Sequence, residues 1–468
     1  MVSEITMTID GAIATTEKTF AVTNPATGQE FAQAPEPSRA QVDQAMESAA
    51  RAFDSWRQDR DLRQKTLEGL ADAVEANLEE LAAIITMEEG KPLKESRSEL
   101  GDVMGDLRYF ATLELPAEIV RDDARTTVRV LRRPVGPIAA ITPWNFPLGT
   151  AIAKIAPALA AGCTVVLKPS PYTPLACLRF GELTRDALPA GVLNVLSGSN
   201  EVGTWMTEHP IPRMISFTGS VATGKRIASA AAVDLKRVTL ELGGNDPAIV
   251  LDDASVDDIA DALFANAFGN CGQICVAIKR VYVPNALHDE LVDALASRAK
   301  SAKVGDGLLE GSDIGPLCNQ MQFDRVGELL DDATSHGARV VAGGHAITGP
   351  GHFFEPTILS DVSDGLRIVD EEQFGPVLPI IRYNSIDDVL NRANATHFGL
   401  GASIWTSDEE RGSALAPQVD SGTVWVNTHQ SAVPGQPFGG LKWSGIGVEG
   451  GPWGMLGFTE VQAIHVAR

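Results

Sequence analysis

The chain is short of the features that mark several protein classes. Only 5 of its 468 residues are cysteine, at positions 163, 177, 271, 275 and 318. An odd, sparse set in a long chain excludes a disulfide framework. Zinc spacing is missing too, because Cys271 and Cys275 lack a second pair and the 8 histidines are scattered, so no metal site is expected. Long apolar runs are absent. The nearest, from Leu148 to Ala161, is interrupted by Lys154 and Pro157 and falls short of the ~20 residues a membrane span needs. The first residues, MVSEITMTIDGAIATTEKTF, have no basic start followed by an apolar core, so no signal peptide is expected and a cytoplasmic location is. Basic charge is the last shortage. With 38 Lys+Arg against 61 Asp+Glu the net charge is -23, spread along the chain, which disfavours nucleic acid and membrane surfaces as partners.

What is present describes a large globular chain. About 44% of the residues are hydrophobic, and the length implies two or three domains. The stretch 39–58 puts Val42, Met46, Ala49, Ala50 and Phe53 on one helical face, and TLEGLADAVEANLEELAAIITMEEGKP continues helical until Gly90 and Pro92, so the first part reads as a helical layer. From residue 135 short apolar strands alternate with helices. The strands lie in VGPIAAI, TVVLKPS, GVLNVLSG, PRMISFTGS and RVTLELGG; a second series runs from AIVLDDAS through ARVVAGG, TILSDV and VLPIIRY to TVWVN. This alternation predicts an α/β protein with doubly wound parallel sheets, divided near Gly243–Gly244. The segments RTTVRVLRRPVGP and GFTEVQAIHVAR read as extended, either as strands that pair with another subunit or as an internal hairpin.

Chemistry-bearing residues gather at the strand exits. PWNFP ends a strand where open α/β sheets bind ligands, and its Asn145 can donate to a developing oxyanion. ELGG offers Glu241 as a general base beside Gly243. KPS offers Lys168 and Ser170, and FTGSVATG offers Gly219, Ser220 and free N–H groups at a strand-to-helix turn suited to phosphate. In FGNCGQICVAIKR, Cys275 follows a flexible-looking Gly-Gln-Ile. Each has a bland alternative: a buried small residue, a turn residue, or a solvated carboxylate or lysine.

Together PWNFP, KPS, FTGS, ELGG, GQIC, EEQFGPV and PFG-G-K, in that order, resemble the aldehyde dehydrogenase superfamily, from TNPATG at 23–28 to the C-terminus. The resemblance implies NAD- and/or NADP-dependent oxidation of an aldehyde to the acid. Cys275 is then the nucleophile, Asn145 the oxyanion donor and Glu241 the base that activates water, with Lys154 and Glu449 on a proton path. Cofactor contacts fall to Trp144, Lys168, Ser170, Gly219, Ser220, Gly243, Glu372 and Phe374. Substrate contacts fall to Phe146, Ala153, Gly269, Ile274, His429, Ala432 and Phe438; Asn427 lies near the catalytic loop, and His429 and Gln430 are expected at a tunnel mouth or in a surface loop.

Two departures from the family pattern stand out. Pro171 replaces a glutamate that many strictly NAD-using relatives carry, which leaves room for NADP. Ala153, Gly269 and Ala432 are small where relatives on small aldehydes place bulky side chains, and Ala153 also replaces the arginine of succinate-semialdehyde enzymes. A bulky or aromatic aldehyde is therefore the expected substrate. The alternatives are a semialdehyde enzyme, an acylating or phosphorylating variant, or a non-catalytic protein of the same fold. The implied domains are 1–118 with 137–242 for the dinucleotide, 243–445 for catalysis, and 119–136 with 446–468 for assembly into a homodimer or homotetramer. A redox bond between Cys271 and Cys275 is a minor option that needs Cα atoms within roughly 7 Å.

Overall fold

The computed structural model of the chain describes residues 5–468. Two large sheets organise it, one of eight strands and one of seven, with a three-stranded sheet and a hairpin beside them. Strands Pro137–Ile141, Thr164–Lys168 and Leu193–Val195 lie side by side and parallel. Met214–Thr218 and Arg237–Glu241 then add, also parallel, on the opposite flank of Pro137–Ile141. Strand order therefore reverses at Pro137–Ile141, which makes its exit the switch point where such sheets bind ligands. The PWNFP turn leaves the sheet there.

Helices fill both sides. In Pro147–Ala161, Leu148, Ile152, Ile155 and Leu159 recur at helical spacing and are fully buried, each contributing about 1.5–3 kcal/mol. The helix stops at Gly162, whose φ of 96° lies in the left-handed region that glycine adopts at low cost. Helix Leu78–Glu89 ends the same way at Gly90.

The second sheet begins at Asp246–Val250, directly after the first sheet's Arg237–Glu241, and continues with Ile278–Pro284, Arg339–Ala342, Thr357–Val362, Val377–Tyr383, Gly401–Trp405 and Thr423–Val426. All its neighbouring pairs are parallel except Arg339–Ala342 with Thr357–Val362. The chain then returns: Gly445–Ile446 pairs with Leu240–Glu241 on the first sheet, and Met455 and Phe458 join that sheet's core.

The helical layer expected from residue 39 is there, as Arg39–Trp56, Arg60–Ala76 and Leu78–Glu89, but strands precede it. Met7–Ile9 and Ala12–Ala14 extend the first sheet, and Thr19–Asn24 pairs with Gln29–Pro35. The cause is local: Asp10 and Gly11 both have positive φ, 54° and 71°, the geometry of a tight hairpin turn that Asp-Gly favours. The segment Thr126–Pro134 pairs within the chain, with Thr459–Ala467 on one side and Glu118–Asp122 on the other, leaving both outer strands exposed. No helix among the described residues is long and apolar enough to cross a membrane.

Candidate active site

Asn145 is fixed from three directions. Its backbone carbonyl accepts from Lys91 Nζ at 2.7 Å and from Asn270 Nδ2 at 3.0 Å, and its side-chain Nδ2 donates to the Gln273 carbonyl at 2.8 Å. One Nδ2 hydrogen is left over. Lys91 also lies 3.6 Å from the Phe146 ring centre and donates to Glu99 at 2.8 Å. Glu99 in turn accepts from Leu148 N and Gly149 N at 3.0 and 2.9 Å, closing the N-terminus of the helix that follows the turn.

The Cys275 loop is pinned to that turn. Asn270, Cys271 and Gly272 are successively left-handed, with φ of 47°, 56° and 74°. A Cβ on Gly272 would lie 2.4 Å from the Gly375 carbonyl, so the close approach requires glycine. Gln273 is no flexible spacer. It is buried, donates to Asn270 O at 3.0 Å, and accepts from Cys318 N at 2.8 Å. Cys275 is half-buried beside Ile274 and Phe438, against Val276, Leu400 and Trp425. Burial pushes its thiol up to about 12; Lys279 opposes this, while Glu372, Asp246 and Glu241 add to it. Cys271 is buried in the second sheet's core, a different apolar cluster from that of Cys275, and both thiols are free.

Glu241 ends its strand buried, and neither carboxyl oxygen has a hydrogen-bond partner. Burial first, and then Glu449, hold it well above the ordinary carboxylate range; Lys154 works against them. Lys154 donates to Glu449 and, at 2.7 Å, to the hydroxyl of Thr218, the residue beside Glu241 in the sheet. Backbone bonds of 2.7 and 2.6 Å join Glu449 to Phe438.

A cleft of about 570 Å³ opens at the first sheet's exits, lined by Trp144, Lys168, Ser170, Pro171, Gly219 and Ser220. Ser220 caps helix Val221–Ala231, and a Cβ on Gly219 would lie 2.5 Å from the Phe217 ring. The N–H groups of Ser220, Val221 and Ala222 at this helix start have no partner among the described residues, and with Lys168 they fit the phosphates and ribose of a dinucleotide. Burial pulls Lys168 down to about 8. Trp144 meets Phe374 edge to face at 5.4 Å, so the two sheets' exits touch there. Glu372 accepts from Gly244 N at 3.2 Å, and a Cβ on Gly243 would lie 2.1 Å from its carboxylate, so Gly243 makes room for Glu372. Among the described residues no cluster of His, Cys, Asp and Glu could hold a metal ion.

On the substrate side, Ile274 and Phe438 are partly buried beside the nucleophile, Phe146 is partly buried over Lys91, and Ala153 precedes Lys154 on its helix. At Gly269 an added Cβ would meet only Ile274 Cδ1, at 3.7 Å, and φ is -51°, so nothing in the backbone demands glycine. One expectation changes. His429 is at no tunnel mouth; it is 3% exposed behind the loop, with Nε2 2.7 Å from the Val276 carbonyl. Asn427 is exposed and accepts from Thr406 N at 2.9 Å, tying strand ends together. Ala432 is exposed.

Sequence reading missed Lys91, Glu99, Asn270, Gln273 and Lys279. Lys91 stands in GKP, which reads as a helix stop, and Lys279 opens a strand. A lysine inside an apolar strand such as VAIKRVYV was the one available signal.

The sequence model of the aldehyde dehydrogenase family matches residues 13–464. A 3-sulfolactaldehyde dehydrogenase of Pseudomonas putida is 39% identical over 453 residues, 96% of this chain and 93% of that protein. A succinate-semialdehyde dehydrogenase [NADP(+)] of Escherichia coli (strain K12) is 39% identical over 449 residues, covering 94% and 93%. The NAD+ complex structure of an aldehyde dehydrogenase from Bacillus cereus superposes with a TM-score of 0.97 at 36% identity, over 99% of this chain and 97% of that one. The chain belongs to the aldehyde dehydrogenase family and is an NAD(P)-dependent oxidoreductase.

Proposed function

We propose that this enzyme oxidises a bulky, uncharged aldehyde to its carboxylic acid, with Cys275 as nucleophile. The thiolate adds to the aldehyde carbon, and the resulting oxyanion is held by the free Nδ2 hydrogen of Asn145 and the Cys275 N–H. NAD(P)+ bound in the cleft supplies the hydride acceptor, and loss of hydride from the thiohemiacetal leaves a thioester on Cys275. Glu241 takes a proton from water, the water attacks the thioester, and the acid leaves as the thiol is restored. Lys154 and Glu449 carry the proton onward. The observation that carries this reading is the Asn145 Nδ2 bond to the Gln273 carbonyl, two residues before Cys275, beside a buried Glu241 with no partner.

Substrate size is supported by the space at Gly269 and the small Ala153. Both nearby lysines are taken, Lys154 by Glu449 and Lys279 by Glu372, which favours an uncharged aldehyde over a semialdehyde acid. With Pro171 in the adenosine end of the cleft, NADP is accepted beside NAD. Residues 1–118 and 137–242 would carry the dinucleotide, 243–445 the nucleophile, and the exposed outer strands near 119–136 and 446–468 a homo-oligomer contact.

The test is NAD(P)H absorbance over a panel of aldehydes. Benzaldehyde-type substrates should turn over faster than acetaldehyde or succinate semialdehyde, and Cys275→Ser should lose at least about 1,000-fold in kcat. A panel led by succinate semialdehyde would sink the substrate reading, and NADP efficiency thousands-fold below NAD (roughly 4 kcal/mol) would sink the cofactor reading.

A further inference from the structure

Lys279 lies against the backbone of the loop that carries the nucleophile. It is 2% exposed, and a charge kept that far from water is costly unless fully paired. Its ammonium donates to the Ile274 carbonyl at 2.8 Å and the Cys275 carbonyl at 3.0 Å, and faces Glu372 Oε1 at 3.4 Å. Two carbonyls can be satisfied by a neutral amide. A cation here acts on something more, and it lies against the backbone of Cys275 itself.

The charges around that sulfur are few. The titratable groups facing it are Lys279, Glu372, Asp246 and Glu241, with His429 behind the loop. Burial pushes Asp246 up to about 8 and pulls His429 down to about 3, and Glu241 is held high by burial and Glu449. Burial raises Glu372 as well, with Lys279 opposing it. Lys279 is the one cation among the described residues that face the sulfur, it bonds the backbone of Cys275, and Glu372 is the carboxyl it faces, so this pair is the one a substitution can rebalance at the nucleophile.

We propose that Lys279 is the positioning residue that favours the thiolate of Cys275, and that Glu372 sets how much of the lysine's charge reaches it. Since Glu372 lies where the cofactor's nicotinamide end is expected, the pair links the cofactor site to the nucleophile. The inference rests on Cys275 being the nucleophile.

The experiment is the pH dependence of iodoacetamide alkylation of the full-length chain. The other four cysteines are buried, and Cys275→Ser serves as the blank. Lys279→Met should raise the alkylation midpoint by at least about one pH unit, a roughly tenfold loss of thiolate at a fixed pH below it. Lys279→Arg should stay within about half a unit of wild type, since it keeps the charge. Glu372→Gln should lower the midpoint, and it decides the matter alone if Lys279→Met does not fold. A packing role for Lys279 would change the melting temperature without moving the midpoint. An unmoved midpoint in Lys279→Met, or an unmoved or raised one in Glu372→Gln, overturns the proposal. A Cys275→Ser chain that still turns over aldehyde sinks the nucleophile reading instead and leaves the charge result standing.

Discussion

Two buried carboxyls flank the Asn145 turn, and their surroundings are opposite. Behind the turn, Glu99 accepts from an ammonium and two backbone N–H groups. In front, Glu241 is equally buried and accepts from nothing. A buried charge that serves the fold is surrounded by donors; one left without them costs stability and keeps its basicity. The contrast tells these two carboxyls apart by their surroundings alone.

The contrast can be broken by mutation, beginning where the effect is greatest. Glu241→Gln should cut turnover by about 100- to 10,000-fold, while Glu99→Gln should act mainly on folding. Asn145→Ala should lower kcat by about 100- to 1,000-fold, with little change in binding of the cofactor in a fluorescence titration. Removing Glu99's charge strands Lys91 in the interior, so Glu99→Gln should cost about 3–5 kcal/mol in urea unfolding. Filling the space at the nucleophile, Gly269→Phe should lower kcat/KM for benzaldehyde-type substrates by about 10-fold or more and spare propanal. Equal losses for both would mean that the loop, and not the pocket, was disturbed.

The smallest effect is also the most diagnostic of sign. Glu241 holds its proton in the folded chain to higher pH than in the unfolded chain, where it titrates near ~4.3. Between those values the folded state binds more protons, so this group's contribution to stability falls as pH rises. Glu241→Gln should lie nearest wild type at pH ~4 and gain on it steadily as the pH rises toward ~8 in urea unfolding. A gap that narrows with pH would show that the carboxyl is paired after all.

The reagent side of this comparison was legible in the sequence and the scaffold side was not. Asn145, Lys168, Ser220 and Glu241 stand at the ends of apolar strands, where alternation with helices fixes position locally. Lys91 and Asn270 bond the Asn145 carbonyl from 54 and 125 residues away, and no local pattern encodes such a contact. Gln273 looked like a flexible spacer because glycine precedes it; its partners at 270 and 318 make it rigid. His429 follows a strand, as a mouth residue would, yet its ring turns inward to the Val276 carbonyl. The strands at the start were missed although Asp10-Gly11 announces a hairpin, because they are only three residues long.

The most direct measurement is a rapid-mixing record of NAD(P)H formation by Glu241→Gln with a benzaldehyde-type substrate. If Glu241 is the unpartnered base that hydrolyses the thioester, the first turnover proceeds and later ones stall. The record should show a burst of about one NAD(P)H per active site, followed by a steady rate about 100-fold or more below wild type. A steady rate equal to wild type, or the loss of the burst itself, would contradict that role.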